Sequence, residues 1–188
     1  MPNMDYILVD PVILGDGDDQ LTLGAATEKI LTLPNCYQPN DRIPERLLTS
    51  FVNRDTVGLP ADAFVFCCFN SAHKILPDVF RVWAQILKRV PGSVLWLLGQ
   101  DIALQKNLKR EAKRLGVSPE RLVFAPKLEL EQHFARIALA DLFLDTFPYN
   151  AHTTASDAIR AGVPIVTMKG RSFPSRVAAS ILSTLGIN

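Results

Sequence analysis

An excess of charge of either sign is missing from this sequence. Its 20 Lys and Arg stand against 19 Asp and Glu, a formal charge of +1. Net charge therefore draws neither a phosphate backbone nor an anionic lipid surface, and no nucleic-acid or membrane partner is expected. Long hydrophobic runs are missing too, since nothing approaches the roughly 18 residues needed to span a bilayer. The N-terminus, Met1-Pro2-Asn3-Met4-Asp5, carries no basic segment ahead of an apolar one, which argues against a secretory signal. Cysteine is scarce: Cys36, Cys67 and Cys68, the last two adjacent in an apolar run where pairing elsewhere is awkward. That is the usage of a reducing compartment, so a cytoplasmic location is expected, and the spacing is not that of zinc ligands. No Gly-rich dinucleotide fingerprint follows a strand, and no Gly-Lys-Ser/Thr phosphate loop occurs. Both absences disfavour nicotinamide dehydrogenases and nucleoside triphosphatases.

What is present is ordinary globular material, 48% apolar and 21% charged over 188 residues. Residues 1 to 62 have their own texture. Tyr6-Ile7-Leu8-Val9 and Lys29-Ile30-Leu31-Thr32-Leu33 read as short strands. A Gly/Asp-rich loop from Gly15 to Asp19 separates them, and Pro34, Pro39 and Pro44 follow. Apolar residues are too few there for an independent core, so 1–62 reads as the tail of a preceding domain plus a linker.

From Ala63 the rhythm is regular. Apolar strands are expected at 64–69, 94–98, 122–124, 142–145 and 165–168. Helices alternate with them: one opened by Pro77, one with Leu104, Leu108, Ala112 and Leu115 on a face and Gly116 as C-cap, then 129–140, 154–161 and 175–185. Trp83 and Trp96 fall at core positions. Five β-then-α units with uniformly apolar strands imply an α/β, doubly wound, Rossmann-like parallel sheet covered on both faces.

Ligands of such sheets bind beyond the carboxyl ends of the strands. Polar residues expected there are Asn70, Ser71, His73 and Lys74, then Lys127, His133 and Arg136 (the last two on the first turns of their helix), then His152, Thr153, Thr154 and Asp157, then Lys169 and Arg171. Thr154 stands three residues before Asp157, the capping-box spacing. A strand, a polar loop and a helix start in that order aim unpaired N–H groups and a helix dipole at one point, where anions bind. His152 adds a donor, cationic if it protonates. Each residue also has a plainer reading: Thr154 and Asp157 as a simple cap, His152 as a surface loop residue, Lys74 as a solvated lysine, His133 and Arg136 as an exposed helix face. No histidine is paired at ligand spacing with a carboxylate or thiolate, and no metal is expected.

A family resemblance adds to this. Phe66-Cys67-Cys68-Phe69-Asn70-Ser71-Ala72-His73-Lys74-Ile75, the run from Trp83 to Leu98, and Leu139-Ala140-Asp141 through Leu144-Asp145-Thr146 closely resemble the C-terminal catalytic lobe of O-linked N-acetylglucosamine transferases. So do Asn150-Ala151-His152-Thr153-Thr154 and Ser175-Arg176-Val177-Ala178-Ala179-Ser180. The resemblance runs through essentially all of 63–188, and Met4-Asp5-Tyr6 and Leu33-Pro34 look like the close of the preceding lobe. It implies the two-lobed GT-B glycosyltransferase fold, with UDP-N-acetylglucosamine as donor and Ser or Thr hydroxyls of a protein or peptide as acceptor. The implied transfer is inverting and needs no cofactor or metal. By the same resemblance Lys74 contacts the donor diphosphate and, with His152, serves catalysis. Ser71 sits where animal enzymes have a glutamine near the phosphates. His133 and Arg136 line the uridine pocket, Thr153 and Thr154 form the diphosphate turn with His152, and Asp157 holds the ribose. The uracil-flanking lysine of animal members is replaced near Leu130, leaving open whether Lys127 substitutes. An N-terminal lobe with an acceptor-side histidine, and helical repeats, would lie outside these residues, so the chain alone is expected to bind nucleotide without transferring sugar. A non-catalytic UDP-binding module, a GT-B enzyme with another sugar acceptor (an epimerase or a glycan-extending transferase) and a scaffold without ligand are the competing readings.

Overall fold

Val65, Phe66, Cys67 and Cys68 are all buried, and a strand buried on both faces has to be apolar at every position. A computed structural model describes residues 4–15, 27–40 and 52–187. In it these four residues form β3 (Val65–Cys68), the centre of a five-stranded sheet. Around it lie β4 (Val94–Leu98), β5 (Leu122–Ala125), β6 (Leu142–Leu144) and β7 (Ile165–Val166), in the order β5-β4-β3-β6-β7 and all parallel. Cys67 stands opposite Trp96 on one side and Phe143 on the other. Trp96 is wholly enclosed, a burial worth roughly 2–3 kcal/mol.

The helices obey their sequence punctuation. In α2 (Pro77–Arg89) Pro77 takes the first position, and Phe80, Trp83, Ala84 and Leu87 turn one face into the core. Asp101 caps α3 (Ile102–Arg114) by accepting from the Ala103 and Leu104 N–H groups. Leu115 is its C-cap, one place earlier than expected, and Gly116 beyond it takes the left-handed φ of +77° that ends the helix. α4 (Leu130–Ile137), α5 (Thr153–Arg160) and α6 (Val177–Thr184) complete the alternation, with a 3-10 turn at Phe173–Ser175 where the last helix was expected to begin. Strand β7 has two residues rather than four.

The first segment shares the core of the sheet. β1 (Tyr6–Val9) pairs in parallel with β2 (Lys29–Thr32), and the one-turn helix α1 (Pro11–Leu14) packs on α6. Val9 and Ile13 are wholly buried in the same cluster as the strands. Asp10 joins the parts: it accepts from Ile13 N at 2.9 Å, from Tyr37 N at 2.8 Å and from the Ser180 hydroxyl. Of the Gly15–Asp19 loop only Gly15 is among the described residues, and Pro44 lies outside them.

From β3 the chain steps outward through β4 to β5, and α4 then carries it back to β6 on the other side of β3. The strand order reverses between β3 and β6. A crevice opens at such a reversal, beyond the carboxyl ends of the two strands.

Candidate functional site

Two loops leave the sheet at that reversal, one after β3 and one after β6, and a single buried amide joins them. Asn70, 2% exposed, donates from Nδ2 to Thr146 Oγ1 at 2.8 Å and to Asp145 Oδ1 at 3.3 Å. Its Oδ1 accepts from the Thr154 hydroxyl in the first turn of α5. Asp145 folds the second loop around itself: Oδ1 accepts from Thr146 N at 2.7 Å and Ala151 N at 2.6 Å, and Oδ2 from the Thr167 hydroxyl at 2.6 Å. Burial pushes this carboxyl above its usual range, and those hydrogen bonds oppose the push. Asn150, wholly buried, donates to Thr146 O at 3.0 Å. Short polar side chains thus satisfy backbone groups that the sheet no longer pairs.

On this frame the candidate residues converge. Lys74 ends a 3-10 turn, with Nζ 3.0 Å from Asn150 O and 4.0 Å from the Tyr149 ring centroid. Burial lowers its pKa, with Asp145 acting in the other direction. His152 is the N-cap residue of α5 and lies nearly parallel to Tyr149, centroids 5.0 Å apart. No side chain caps α5, so the N–H groups of Thr153 and Thr154 have no partner within the helix. Ser71, Lys74, Tyr149, His152, Thr153 and Thr154 line one hollow of about 230 Å³, floored by Phe69 and Asn70. His152 Nε2 is buried and without a hydrogen-bond partner.

Several expectations need correction. Thr154 and Asp157 form no capping box. The helix begins at Thr153, the Thr154 hydroxyl is taken by Asn70, and Asp157 sits inside the helix, 7% exposed. Burial pushes its carboxyl up to about 6, against the pull of Arg160. His152 is not a ready cation: burial, then the Lys74 charge, lowers its pKa to about 4, with the Pro174 carbonyl opposing. Arg136 lies in the last turn of α4 rather than the first, and is 2% exposed. Its Nε donates to His133 Nδ1 at 3.1 Å, a second N–H to Pro126 O, and its guanidinium lies 4.9 Å from the Phe69 ring centroid. Burial lowers its pKa to about 10. His133 packs edge-on against Phe69 at 5.4 Å and is lowered to about 4 by burial and by Arg136. His133, Arg136 and Asp157 therefore stand outside the lining of the hollow, the first two behind Phe69. His73, Lys127 and Arg171 are exposed. Lys169 borders a different hollow of about 460 Å³, together with Val12, Thr167 and Leu182. Among the described residues no three His, Cys, Asp or Glu side chains gather to hold a metal ion, and no helix is long and apolar enough to cross a membrane.

The buried histidines give a pH dependence with a definite sign. An imidazole titrating near 4 when folded and near 6.5 when unfolded stabilises the fold fully above about pH 6.5, and that stability is lost as pH falls toward about 4. Asp157 and Asp145, raised by burial, act in the opposite sense, so the His133 contribution is read by difference. His133→Asn is expected to melt below the wild type at about pH 7, with the gap closing by about pH 4.5. A gap that stays constant contradicts the assignment.

Sequence reasoning placed Asn150 in the turn with Thr146 and Pro148 but did not assign the roles of Asn70, Asp145 and Tyr149. The available signal was an Asp-Thr pair closing an apolar strand with Asn five residues after the Asp, a pattern that pins a loop.

The model of the family described as glycosyl transferase family 41 matches residues 23–188. A probable UDP-N-acetylglucosamine–peptide N-acetylglucosaminyltransferase, SEC of Arabidopsis thaliana, is 38% identical over 165 residues, covering 86% of this chain and 17% of that protein. A UDP-N-acetylglucosamine–peptide N-acetylglucosaminyltransferase of Caenorhabditis elegans is 40% identical over 147 residues, covering 78% of this chain and 13% of that one. The solved structure of an O-GlcNAc transferase variant from Thermobaculum terrenum superposes with a TM-score of 0.83 at 32% identity, over 100% of this chain and 34% of that one. The chain thus spans less than a fifth of these two curated relatives and a third of the solved one.

Proposed function

This chain belongs to glycosyl transferase family 41, its fold is that of the C-terminal lobe of a GT-B enzyme, and we propose that the hollow beside Lys74 receives the diphosphate of UDP-N-acetylglucosamine. One observation carries the reading. An ammonium and an uncapped helix start meet at the reversal of strand order, the place where such sheets bind nucleotides. The volume of about 230 Å³ is below the usual 300–1,000 Å³ of a whole-ligand pocket, which suits a diphosphate with the nucleoside and sugar extending to either side. The relatives' names carry a peptide acceptor and an N-acetylglucosamine donor, and the complete enzyme is proposed to join the two.

In that reaction the oxygen of a Ser or Thr hydroxyl attacks the anomeric carbon on the side opposite the phosphate. The bond from that carbon to the phosphate oxygen breaks, its electron pair stays on the diphosphate, and the hydroxyl proton passes to a base outside this hollow. The leaving diphosphate gains negative charge. Lys74 meets it with a point charge, and the Thr153 and Thr154 N–H groups meet it with the positive end of α5. Ser71 adds a hydroxyl at the rim, while neutral His152 gives its N–H to the Pro174 carbonyl and lines the hollow without donating to the diphosphate. These donors are set before the ligand arrives, so little reorganisation is needed as charge develops. Supplying that charge from the protein itself is the basis for proposing transfer without a metal.

Thermal unfolding of the 188-residue chain with and without UDP tests the reading. A ligand at a hundredfold excess over its Kd stabilises the fold by about 2.7 kcal/mol, which for a domain of this size raises Tm by about 5–10 °C. The expected result is that rise, equal with and without magnesium. No rise at millimolar UDP contradicts the proposal. A rise without sugar transfer to peptides by the full-length enzyme restricts the role to nucleotide binding.

A further inference from the structure

Tyr149 is more exposed, at 45%, than a ring recruited for the core, yet it touches two of the groups that line the hollow. The Lys74 ammonium lies 4.0 Å from its centroid, and the His152 imidazole lies nearly parallel to it at 5.0 Å. Its backbone is fixed independently, because the Thr146 hydroxyl donates to Tyr149 O at 2.7 Å and is itself held by Asn70. The next residue along the same backbone presents Asn150 O to the Lys74 ammonium at 3.0 Å. Two neighbouring residues of one pinned loop therefore grip the cation, one through a carbonyl and one through a ring.

We propose that Tyr149 is a positioning residue for anion binding: its ring face holds the Lys74 ammonium and the His152 imidazole at the hollow before the diphosphate arrives. An ammonium has three donors. Asn150 O takes one, and the ring face, negative at its centre, attracts the cation without consuming another donor. The remaining N–H groups stay available to phosphate oxygens. A free lysine would instead sample many rotamers and lose that freedom on binding, which weakens affinity. The stacked ring also covers one face of the imidazole and so shields it from water. The role rests on the reading of the hollow as a diphosphate site, and the test separates the two.

The test uses the 188-residue chain, with UDP affinity measured by calorimetry for the wild type, Tyr149→Phe and Tyr149→Leu, and with the His152 imidazole titrated by NMR. Leu keeps an apolar side chain but has no ring face; Phe keeps the face and loses the hydroxyl. The expected results are wild-type affinity in Tyr149→Phe and about tenfold weaker binding in Tyr149→Leu, with Tm little changed in both. The His152 pKa is expected to rise in Tyr149→Leu alone as water reaches the imidazole. A packing role alone would change Tm and leave the His152 titration in place. Binding by the wild type together with unchanged affinity and titration in Tyr149→Leu overturns the role of Tyr149 and leaves the diphosphate site standing. Equal losses in Phe and Leu assign the effect to the hydroxyl and also overturn it. Absence of UDP binding by the wild type overturns the site and the inference together.

Discussion

Lys74→Ala is expected to weaken UDP binding by about a hundredfold, and with it to abolish the ligand-induced rise in Tm at concentrations that saturate the wild type. Lys74 is the full positive charge among the residues lining the hollow, because His152 with a pKa of about 4 is neutral at physiological pH. A hydrogen bond to a charged group contributes about 1.5–3 kcal/mol, roughly 10–100-fold in affinity, and a diphosphate carries the charge to claim the upper end. The substitution costs the apo fold little. Lys74 is half-buried, its ammonium gives one hydrogen bond to Asn150 O, and water can replace it there. Affinity and stability therefore separate: calorimetry should show the loss while the ligand-free Tm stays within a few degrees. Binding within threefold of the wild type would remove Lys74 from the site.

Asn70→Asp is expected to be the most damaging single-atom change to the fold, lowering stability by about 3–5 kcal/mol near neutral pH. The native amide donates to Thr146 Oγ1 and Asp145 Oδ1 while accepting from Thr154. A carboxylate has the same shape with no donor. It would face the Asp145 carboxylate across 3.3 Å, in a place where burial already raises the Asp145 carboxyl. Buried like charges and a lost donor act together. Because one carboxyl of such a pair takes up a proton easily, the deficit should shrink on acidification. Asn70→Ala, which removes the bonds without adding charge, should cost less, about 2–3 kcal/mol, with no comparable recovery at low pH. Urea unfolding of both variants at two pH values checks the ordering. Asp and Ala variants both as stable as the wild type at neutral pH would show that Asn70 is not the joint between the loops.

The elements legible in the sequence were those with a strong period or strong punctuation. Continuous apolar runs at Val65–Cys68 and Val94–Leu98, Pro77 at a helix start and Gly116 at a helix end each have one physical meaning, and the parallel sheet follows from their alternation. The rim was legible for a similar reason, since polar residues just past an apolar strand have few other places to be. The failures lie where tertiary partners outweigh local spacing. Thr154 and Asp157 have the separation of a capping box, but the box forms only if the threonine hydroxyl is free, and Asn70, 84 residues away in sequence, takes it. Arg136 reads as a surface arginine in its helix, yet Phe69 and Pro126 O bury it without a carboxylate. The lowered pKa of His152 comes from burial and from the Lys74 charge, and no local pattern encodes either. The family resemblance places His133 and Arg136 at the uridine and Asp157 at the ribose, and none of the three lines the hollow beside Lys74.

The proposed site requires a pyrophosphate where Lys74 meets the start of α5. Titrating isotope-labelled chain with UDP while following the backbone amides of Thr153 and Thr154 by NMR addresses this directly. Those two amide signals should move downfield together on one binding curve, and should stay put when uridine replaces UDP. Saturable UDP binding that leaves both amides unmoved while perturbing residues around another hollow, such as the one bordered by Lys169, would contradict it.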